Sequence, residues 1–132
     1  MKRFRMRSRR AEVAPAVERV LRLASAAGLS QEQQDNLAVA LAEALSNAAV
    51  HGNRLRDEVL VAVSIRVDGR TVEIEVADEG DGFDATRVSD PTEPERLLTP
   101  GGRGVFLMRR LVDEVHYNER GNVVRLVVRG SG

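Results

Sequence analysis

Hydrophobic and polar residues alternate with a period of two at the start of the chain. Phe4 and Met6 are separated by arginines, and the first ten residues carry six positive charges and no negative one. This alternation predicts a short, half-buried strand. The arginines are typical of an edge strand that is protected against pairing with other chains; a basic arm for an acidic partner is the alternative interpretation.

A helical period follows in two segments. Apolar residues recur every three or four positions over 13–24, and this segment ends near Gly28, a residue typical of helix C-termini. Ser30 then begins Ser-Gln-Glu-Gln, in which the serine and the second glutamine predict a capping box. The second helix is predicted to continue to about His51, where the pair Gly52-Asn53 ends it.

Four more strands and a third helix are predicted in the second half of the chain. An Asp68-Gly69 pair favours a hairpin between the first two of these strands, and a Glu-Arg-Gly-Asn turn joins the last two. The segment 78–100 contains Gly, Asp, Thr and three Pro with little periodicity, so we interpret it as a long loop, which in a compact domain is usually functional or mobile. The predicted strands are 59–67, 71–77, 115–117 and 123–128, and the predicted helix is 104–112.

This order of elements predicts an α+β fold. We expect a two-layer α/β sandwich in which the helices lie on one face of a mostly antiparallel sheet. The length of 132 residues fits a single domain spanning 1–132. The 42% share of hydrophobic residues is that of an ordinary globular protein.

Composition excludes several classes of protein. Twenty basic and twenty acidic residues give a net charge of zero, and the chain has three Phe, one Tyr and no Trp, so we expect no direct binding of nucleic acid. The longest apolar runs are five or six residues, far below the ~18 that span a bilayer. Together with the absence of Cys, this predicts a cytoplasmic protein without membrane attachment. Lys2 is the single lysine, so no Walker-type phosphate loop is available.

The first candidate cluster lies on the second predicted helix. Glu43 and Asn47 are one helical turn apart and lie roughly 110° from the apolar stripe of that helix, so we expect them at the margin of the core. The amide oxygen of an asparagine suits Mg²⁺, and a carboxylate beside it suits a general base. An ordinary solvated helix face is the alternative.

Two glycine-rich segments form the other candidate clusters. Asp78-Glu-Gly-Asp-Gly-Phe directly follows a predicted strand. A carboxylate at a strand end can accept a hydrogen bond from an exocyclic amine, and glycines allow the backbone to approach a flat ring. Residues 101–104, Gly-Gly-Arg-Gly, precede a predicted helix whose N-terminal amides favour an anion. Considered alone, each segment is equally compatible with a tight turn or a hinge.

Together and in this order, the three clusters resemble the motifs of the gyrase, chaperone and histidine-kinase ATPase superfamily. Glu43-Ala-Leu-Ser-Asn47 resembles its N box, and the two glycine-rich segments resemble its glycine boxes. The likeness extends over nearly the whole chain. The compact length and the Gly-Val-Phe-Leu-Met run from Gly104 look most like the anti-sigma-factor serine kinases of the RsbW type. The resemblance implies the Bergerat ATP-binding fold, with a lid over about 84–101.

The resemblance also implies a role for each motif residue. Asp78 would accept a hydrogen bond from the adenine amino group, beside Gly80 and Gly82. Asn47 would bind Mg²⁺, and Glu43 would be the catalytic base that takes the proton of a serine hydroxyl. The further nucleotide-binding residues implied are Phe83, Thr99, Gly101, Gly102, Arg103, Gly104 and Val105.

The implied function is that of an ATP- and Mg²⁺-dependent protein serine kinase. Such a kinase would bind a sigma factor, phosphorylate a serine of an anti-anti-sigma partner of the STAS type, and form a homodimer. Two alternatives remain open from the sequence. One is a nucleotide-gated binding module without phosphotransfer, and the other is a stand-alone ATPase domain of the histidine-kinase kind.

Overall fold

The computed structural model describes residues 1–80 and 102–130, and within them five strands and three α-helices follow the predicted order. The strands are β1 Lys2–Arg7, β2 Leu60–Asp68, β3 Thr71–Ala77, β4 Glu114–Tyr117 and β5 Val123–Arg129. The helices are α1 Val13–Leu23, α2 Gln31–Ser46 and α3 Gly102–Leu111. None of these helices is long and apolar enough to cross a membrane.

The strands form one sheet in the order β1-β2-β3-β5-β4, and every neighbouring pair is antiparallel. β1 lies at one edge, in agreement with the edge-strand interpretation of its arginines. Asp68 still pairs with Thr71, so the β2–β3 turn consists of the next two residues rather than the predicted Asp68-Gly69 pair. Gly69 has φ +61°, a conformation that favours glycine over residues with a side chain.

One face of the sheet and one stripe of each helix form the hydrophobic core. α2 packs against both α1 and α3, and its Leu37 and Leu41 are fully buried. The opposite face of the sheet is polar, with Arg66, Glu75 and Arg125 exposed. The helices therefore cover one face of an antiparallel sheet, and the predicted α+β fold is confirmed. The inward residues of the three central strands are Val61, Val63, Ile65, Val72, Ile74, Val76, Val124, Leu126 and Val128.

α2 begins at a capping box and is continued at its end by a wider helical segment. At its start, Ser30 Oγ accepts a hydrogen bond from Gln33 N at 3.1 Å, and Gln33 Oε1 accepts one from Ser30 N at 3.0 Å, which confirms the predicted capping box. At its end, a π-helical segment, Asn47–Gly52, continues the helix. Such wider turns often occur at functional sites.

Candidate functional site

Glu43 and Asn47 lie one turn apart on α2 at the margin of the core. Leu41 and Leu45 on the same helix are fully buried, whereas Glu43 and Asn47 are half-buried. Asn47 begins the π-helical segment, and its backbone N–H donates to the carbonyl oxygen of Glu43. The helix therefore presents a carboxylate and a carboxamide side by side.

The first turn of α3 lies against this pair of side chains. Gly104 is buried, and a Cβ atom built on it would lie 2.9 Å from Glu43 Oε2 and 3.0 Å from Asn47 Nδ2. A larger residue would therefore displace one or both polar groups. The absence of a side chain at Gly104 brings the N-terminus of α3 next to Glu43 and Asn47.

The carboxamide of Asn47 has an unused donor. Its Nδ2 atom is buried and has no hydrogen-bond partner among the described residues. Leaving such a group unpaired costs about 1–3 kcal/mol, so a ligand acceptor is expected here. A phosphate oxygen could accept from Nδ2, and a half-turn of the amide would instead present Oδ1, the kind of atom that Mg²⁺ binds. The pair fits an anionic ligand that is accompanied by a cation.

A second group of residues meets where the π-helical segment approaches the end of β3. Asp78 follows β3, and a Cβ atom built on Gly52 would lie 2.6 Å from each carboxylate oxygen of Asp78. A Cβ atom built on Gly80 would lie 2.8 Å from the carbonyl carbon of Gly52. Three residues that are distant in sequence can therefore meet because two of them have no side chain.

Hydrogen bonds hold the turn that carries Asp78. Its backbone N–H donates to the carbonyl oxygen of Asn122 at 2.9 Å, and its Oδ1 accepts from the backbone N–H of Gly80 at 2.8 Å. Asn122 belongs to the β4–β5 turn, where its own N–H donates to Asn118 Oδ1 at 3.0 Å. The main chain of Asp78 is thus held by the β4–β5 turn, and its carboxylate is held by the N–H of Gly80.

Burial raises the pKa of two groups in this region, Asp78 and Tyr117. Partial burial raises the pKa of the Asp78 carboxyl above its ordinary value, although the Gly80 N–H opposes the change. Burial likewise raises the pKa of the Tyr117 hydroxyl; the positive charge of Arg109 opposes this, and the negative charge of Asp78 reinforces it. A poorly solvated carboxylate at Asp78 gains most from a hydrogen-bond donor that a ligand supplies.

The two groups of residues lie on one continuous helical segment. Gly52 follows Asn47 by five residues and Glu43 by nine, so the two groups are separated by more than one turn of the helix. A ligand that contacts both groups must be elongated. It must offer a hydrogen-bond donor at the Asp78 end and negative charge at the Glu43 and Asn47 end. A nucleoside triphosphate with an amino-bearing base has this form.

Comparison with known proteins agrees with this arrangement. Residues 6–128 match the family model described as the histidine kinase-like ATPase domain. The chain belongs to this family. Curated relatives of this ATPase domain include the serine-protein kinases RsbW of Oceanobacillus iheyensis and Bacillus licheniformis.

The identities to these relatives are moderate and extend over most of the chain. The Oceanobacillus iheyensis protein is 31% identical over 108 residues, which cover 77% of this chain and 68% of that protein. The Bacillus licheniformis protein is 37% identical over 101 residues, which cover 71% of this chain and 63% of that protein. The chain therefore matches about two thirds of the length of these kinases, and the resemblance to the RsbW branch of the ATPase family is confirmed.

A solved structure shares the fold of this ATPase domain. The crystal structure of the RsbU and RsbW domains of a Mycobacterium tuberculosis protein aligns with a TM-score of 0.59 at 14% sequence identity. The alignment covers 98% of this chain and 32% of the other chain. At this identity the likeness concerns the fold.

Several residues that the sequence assigns to the ATPase motifs lie outside the described residues. These are Gly82, Phe83, Thr99 and Gly101, and the segment 84–101 predicted as a lid lies outside them too. Gly102 and Arg103 belong to the first turn of α3. Val105 lies in the same turn and is fully buried in the core.

The described residues do not form a closed metal site. Within 1–80 and 102–130, no group of three or more His, Cys, Asp or Glu side chains could hold a metal ion. An ATPase domain can do without one, because Mg²⁺ commonly uses one or two protein ligands together with substrate phosphates. Asn47, with its unused buried amide, suits this limited role.

Two residues of this region were missed by the sequence analysis. Gly52 provides the space for the Asp78 carboxylate. Asn53 is completely buried, and its Oδ1 accepts a hydrogen bond from the backbone N–H of Glu79 at 2.8 Å. In the sequence, a Gly-Asn pair after an apolar helix commonly marks the end of that helix. No local pattern shows whether such a pair also contacts a strand end that is distant in sequence.

Proposed function

We propose that this chain is an ATP-dependent protein serine kinase of the anti-sigma-factor type. The observation that carries the proposal is the arrangement on α2 and its continuation. Glu43 and Asn47 meet Gly104 at one end, and Asp78 lies against Gly52 at the other. The kinship with kinases named RsbW supports the same function.

The adenine base is proposed to bind at the Asp78 end. The Asp78 carboxylate accepts a hydrogen bond from the exocyclic amine, and its poor solvation strengthens that bond. Gly80 lies against the backbone of Gly52, which leaves no room for a side chain there, so the turn after β3 can hold Asp78 next to the helix end. Gly82 and Phe83 are proposed to continue this pocket.

The phosphates are proposed to bind at the start of α3. The backbone amides of 102–105 belong to the first helical turn, where unpaired N–H groups and the helix dipole favour an anion. Arg103 would add a positive charge, and Thr99 and Gly101 are proposed to contact the phosphates from the lid, 84–101. We propose that these parts belong to a single ATPase domain over 1–132.

Asn47 is the residue proposed to hold Mg²⁺. When it is bound, the ion neutralises charge that develops on the phosphate oxygens. Asn47 would hold the ion through its amide oxygen. The position of its carboxamide beside Gly104 supports this role.

Glu43 is proposed to be the catalytic base. The serine hydroxyl of a partner protein gives its proton to the Glu43 carboxylate while its oxygen forms a bond to the γ-phosphorus. The bond between that phosphorus and the bridging oxygen breaks, and ADP leaves with the electron pair. Such a transfer requires mainly positioning and charge neutralisation, so one base and a set of fixed donors are sufficient.

The proposed macromolecular partners follow from the anti-sigma-factor branch. We propose that the domain binds a sigma factor and phosphorylates an anti-anti-sigma protein of the STAS type, as a cytoplasmic homodimer. Names such as RsbW, and the pairing of RsbU and RsbW domains in one solved protein, support a place among regulatory proteins.

The test is phosphate transfer from γ-labelled ATP to purified STAS-type proteins of the source organism. Glu43→Gln preserves the shape of the side chain and removes the base, so we expect phosphorylation to fall about 10²- to 10⁴-fold. Calorimetry should find ADP binding by the same variant within about threefold of the parent, because ADP lacks the reacting phosphate. Glu18→Gln, at an exposed glutamate of α1, is the matched control and should leave both values unchanged.

Two results would contradict the proposal. If the unmodified chain binds neither ATP nor ADP in the presence of Mg²⁺, the proposal of a nucleotide-binding site is refuted. If the nucleotide binds and no partner is phosphorylated, the chain is the nucleotide-gated binding module that remained as an alternative. Undiminished transfer by Glu43→Gln would remove Glu43 from the role of base.

A further inference from the structure

Asn53 is fully buried, and it is not among the residues proposed to bind the nucleotide or to transfer the phosphate. Asn53 and Ser8 are the two polar residues that are fully buried within 1–80 and 102–130, each with 0% exposure. Burying a carboxamide is unfavourable unless all of its hydrogen-bonding atoms find partners. The contacts of Asn53 therefore indicate what the residue does.

Both ends of the Asn53 carboxamide are hydrogen-bonded. Its Oδ1 accepts from the backbone N–H of Glu79 at 2.8 Å, and its Nδ2 donates to Ser8 Oγ at 3.0 Å. The Ser8 hydroxyl donates in turn to the carbonyl oxygen of Val59. One side chain thus links the residue after β1, the residue before β2 and the turn after β3.

The main chain of Asn53 is held as well. Its N–H donates to the carbonyl oxygen of Ala48 at 2.8 Å, and its carbonyl oxygen accepts from the N–H of Arg56 at 3.1 Å. The side chain therefore projects from a fixed backbone. A hydrogen bond from such a side chain restrains the partner it reaches, which is the Glu79 amide.

The consecutive residues Gly52 and Asn53 contact two consecutive residues of the turn after β3. Gly52 lies against the carboxylate of Asp78, and Asn53 accepts from the N–H of Glu79. The first contact limits where the carboxylate can lie, and the second fixes the peptide that follows it. Asparagine suits the second role because one planar group carries both the acceptor and the donor that are needed.

This inference rests on the proposed binding of adenine at Asp78. We propose that Asn53 is a positioning residue for base recognition. Through the Glu79 amide it holds the Asp78 carboxylate where it accepts from a 6-amino purine and discriminates against a 6-oxo purine. Asn53 itself does not contact the nucleotide, so it acts on selectivity through the geometry of Asp78.

The experiment compares ADP with inosine diphosphate, which carries an oxygen in place of the 6-amino group. Calorimetry gives the Kd for inosine diphosphate divided by the Kd for ADP. This ratio is measured for the parent chain, for Asn53→Leu and for Asn53→Asp. Asn53→Leu keeps the approximate shape and loses the acceptor, so the ratio should fall about threefold to tenfold. Asn53→Asp keeps an acceptor for the Glu79 amide, so the ratio should stay near that of the parent although the chain becomes less stable.

The outcomes separate positioning from stability. A ratio that is unchanged in Asn53→Leu, or one that falls equally in both variants, would overturn the inference while nucleotide binding stands. A parent chain that binds neither nucleotide would instead overturn the proposed function.

A measurement on the parent chain covers the case in which Asn53→Leu does not fold. Hydrogen exchange without nucleotide should find the Glu79 amide protected, because Asn53 accepts from it before any ligand arrives. Exchange of that amide at the rate of an unstructured peptide would overturn the inference.

Discussion

Replacing Gly52 by alanine tests the contact on which the proposed base-recognition end depends. The added Cβ would lie 2.6 Å from both carboxylate oxygens of Asp78, well inside van der Waals contact. Gly52 is not among the described glycines with positive φ, so alanine can adopt its backbone conformation. The substitution therefore acts through the space that Asp78 occupies.

The expected effects on stability and on binding have different sizes. Crowding a packed site costs about 1–3 kcal/mol, and alanine regains up to about 1 kcal/mol over glycine in a helical segment. The free energy of unfolding should therefore fall by no more than about 3 kcal/mol. If Asp78 turns away to relieve the clash, it loses the hydrogen bond from Gly80 and its place beside the base. A lost hydrogen bond to a charged group is worth about 1.5–3 kcal/mol, which is roughly a 10- to 150-fold rise in the Kd for ADP.

The assay is calorimetry with ADP and Mg²⁺, and urea unfolding is measured in parallel. Gly28→Ala is the matched control, because Gly28 has φ +65° and a Cβ atom built on it would meet no atom within 4 Å. That control should lose about 1 kcal/mol of stability through its left-handed backbone and bind ADP as the parent does. A Gly52→Ala variant that folds and binds ADP with unchanged affinity would refute the reasoning, because Asp78 could then not be the acceptor for the base.

Two further predictions concern Asp78 and Gly104. Burial raises the pKa of the Asp78 carboxyl, so the stability that this group contributes is fully present below the ordinary aspartate pKa and is lost as the pH rises through the raised value. Urea unfolding should therefore find that Asp78→Asn gains stability relative to the parent as the pH rises above about 4, and its affinity for ADP should fall. Stability differences that do not vary with pH would contradict this assignment. Gly104→Ala places a Cβ within 3.0 Å of Glu43 and Asn47, so labelled-ATP assays should find phosphotransfer reduced more than ADP affinity, and an equal loss of both would indicate a general distortion of α3.

The fold could be predicted from the sequence because its signals are local. Alternation in β1 and β3, the helical stripe of α2 and the capping box at Ser30 each involve residues a few positions apart. The placement of Glu43 beside Asn47 is likewise a property of one helix. Such features depend on periodicity and on capping chemistry, and both can be read from neighbouring residues.

The contacts that join distant segments could not be predicted in this way. Gly52 and Asn53 end a helix, and their meeting with Asp78 and Glu79 depends on how the helix packs on the sheet. The role of Asn118 in the last hairpin was missed although its contacts are local. Its Oδ1 accepts from the backbone N–H groups of Asn122 and Val123, whereas the predicted turn, Glu-Arg-Gly-Asn, begins one residue later.

Because α2 and the π-helical segment form one continuous helix, insertions and deletions within it are constrained. Inserting or deleting one residue between Asn47 and Gly52 would rotate one end relative to the other by about 100° and separate their partners. Length changes between Phe83 and Thr99 would leave that spacing unaltered. Related chains should therefore keep the number of residues between Glu43 and Gly52 constant and tolerate length changes in the part of the predicted lid between those two positions.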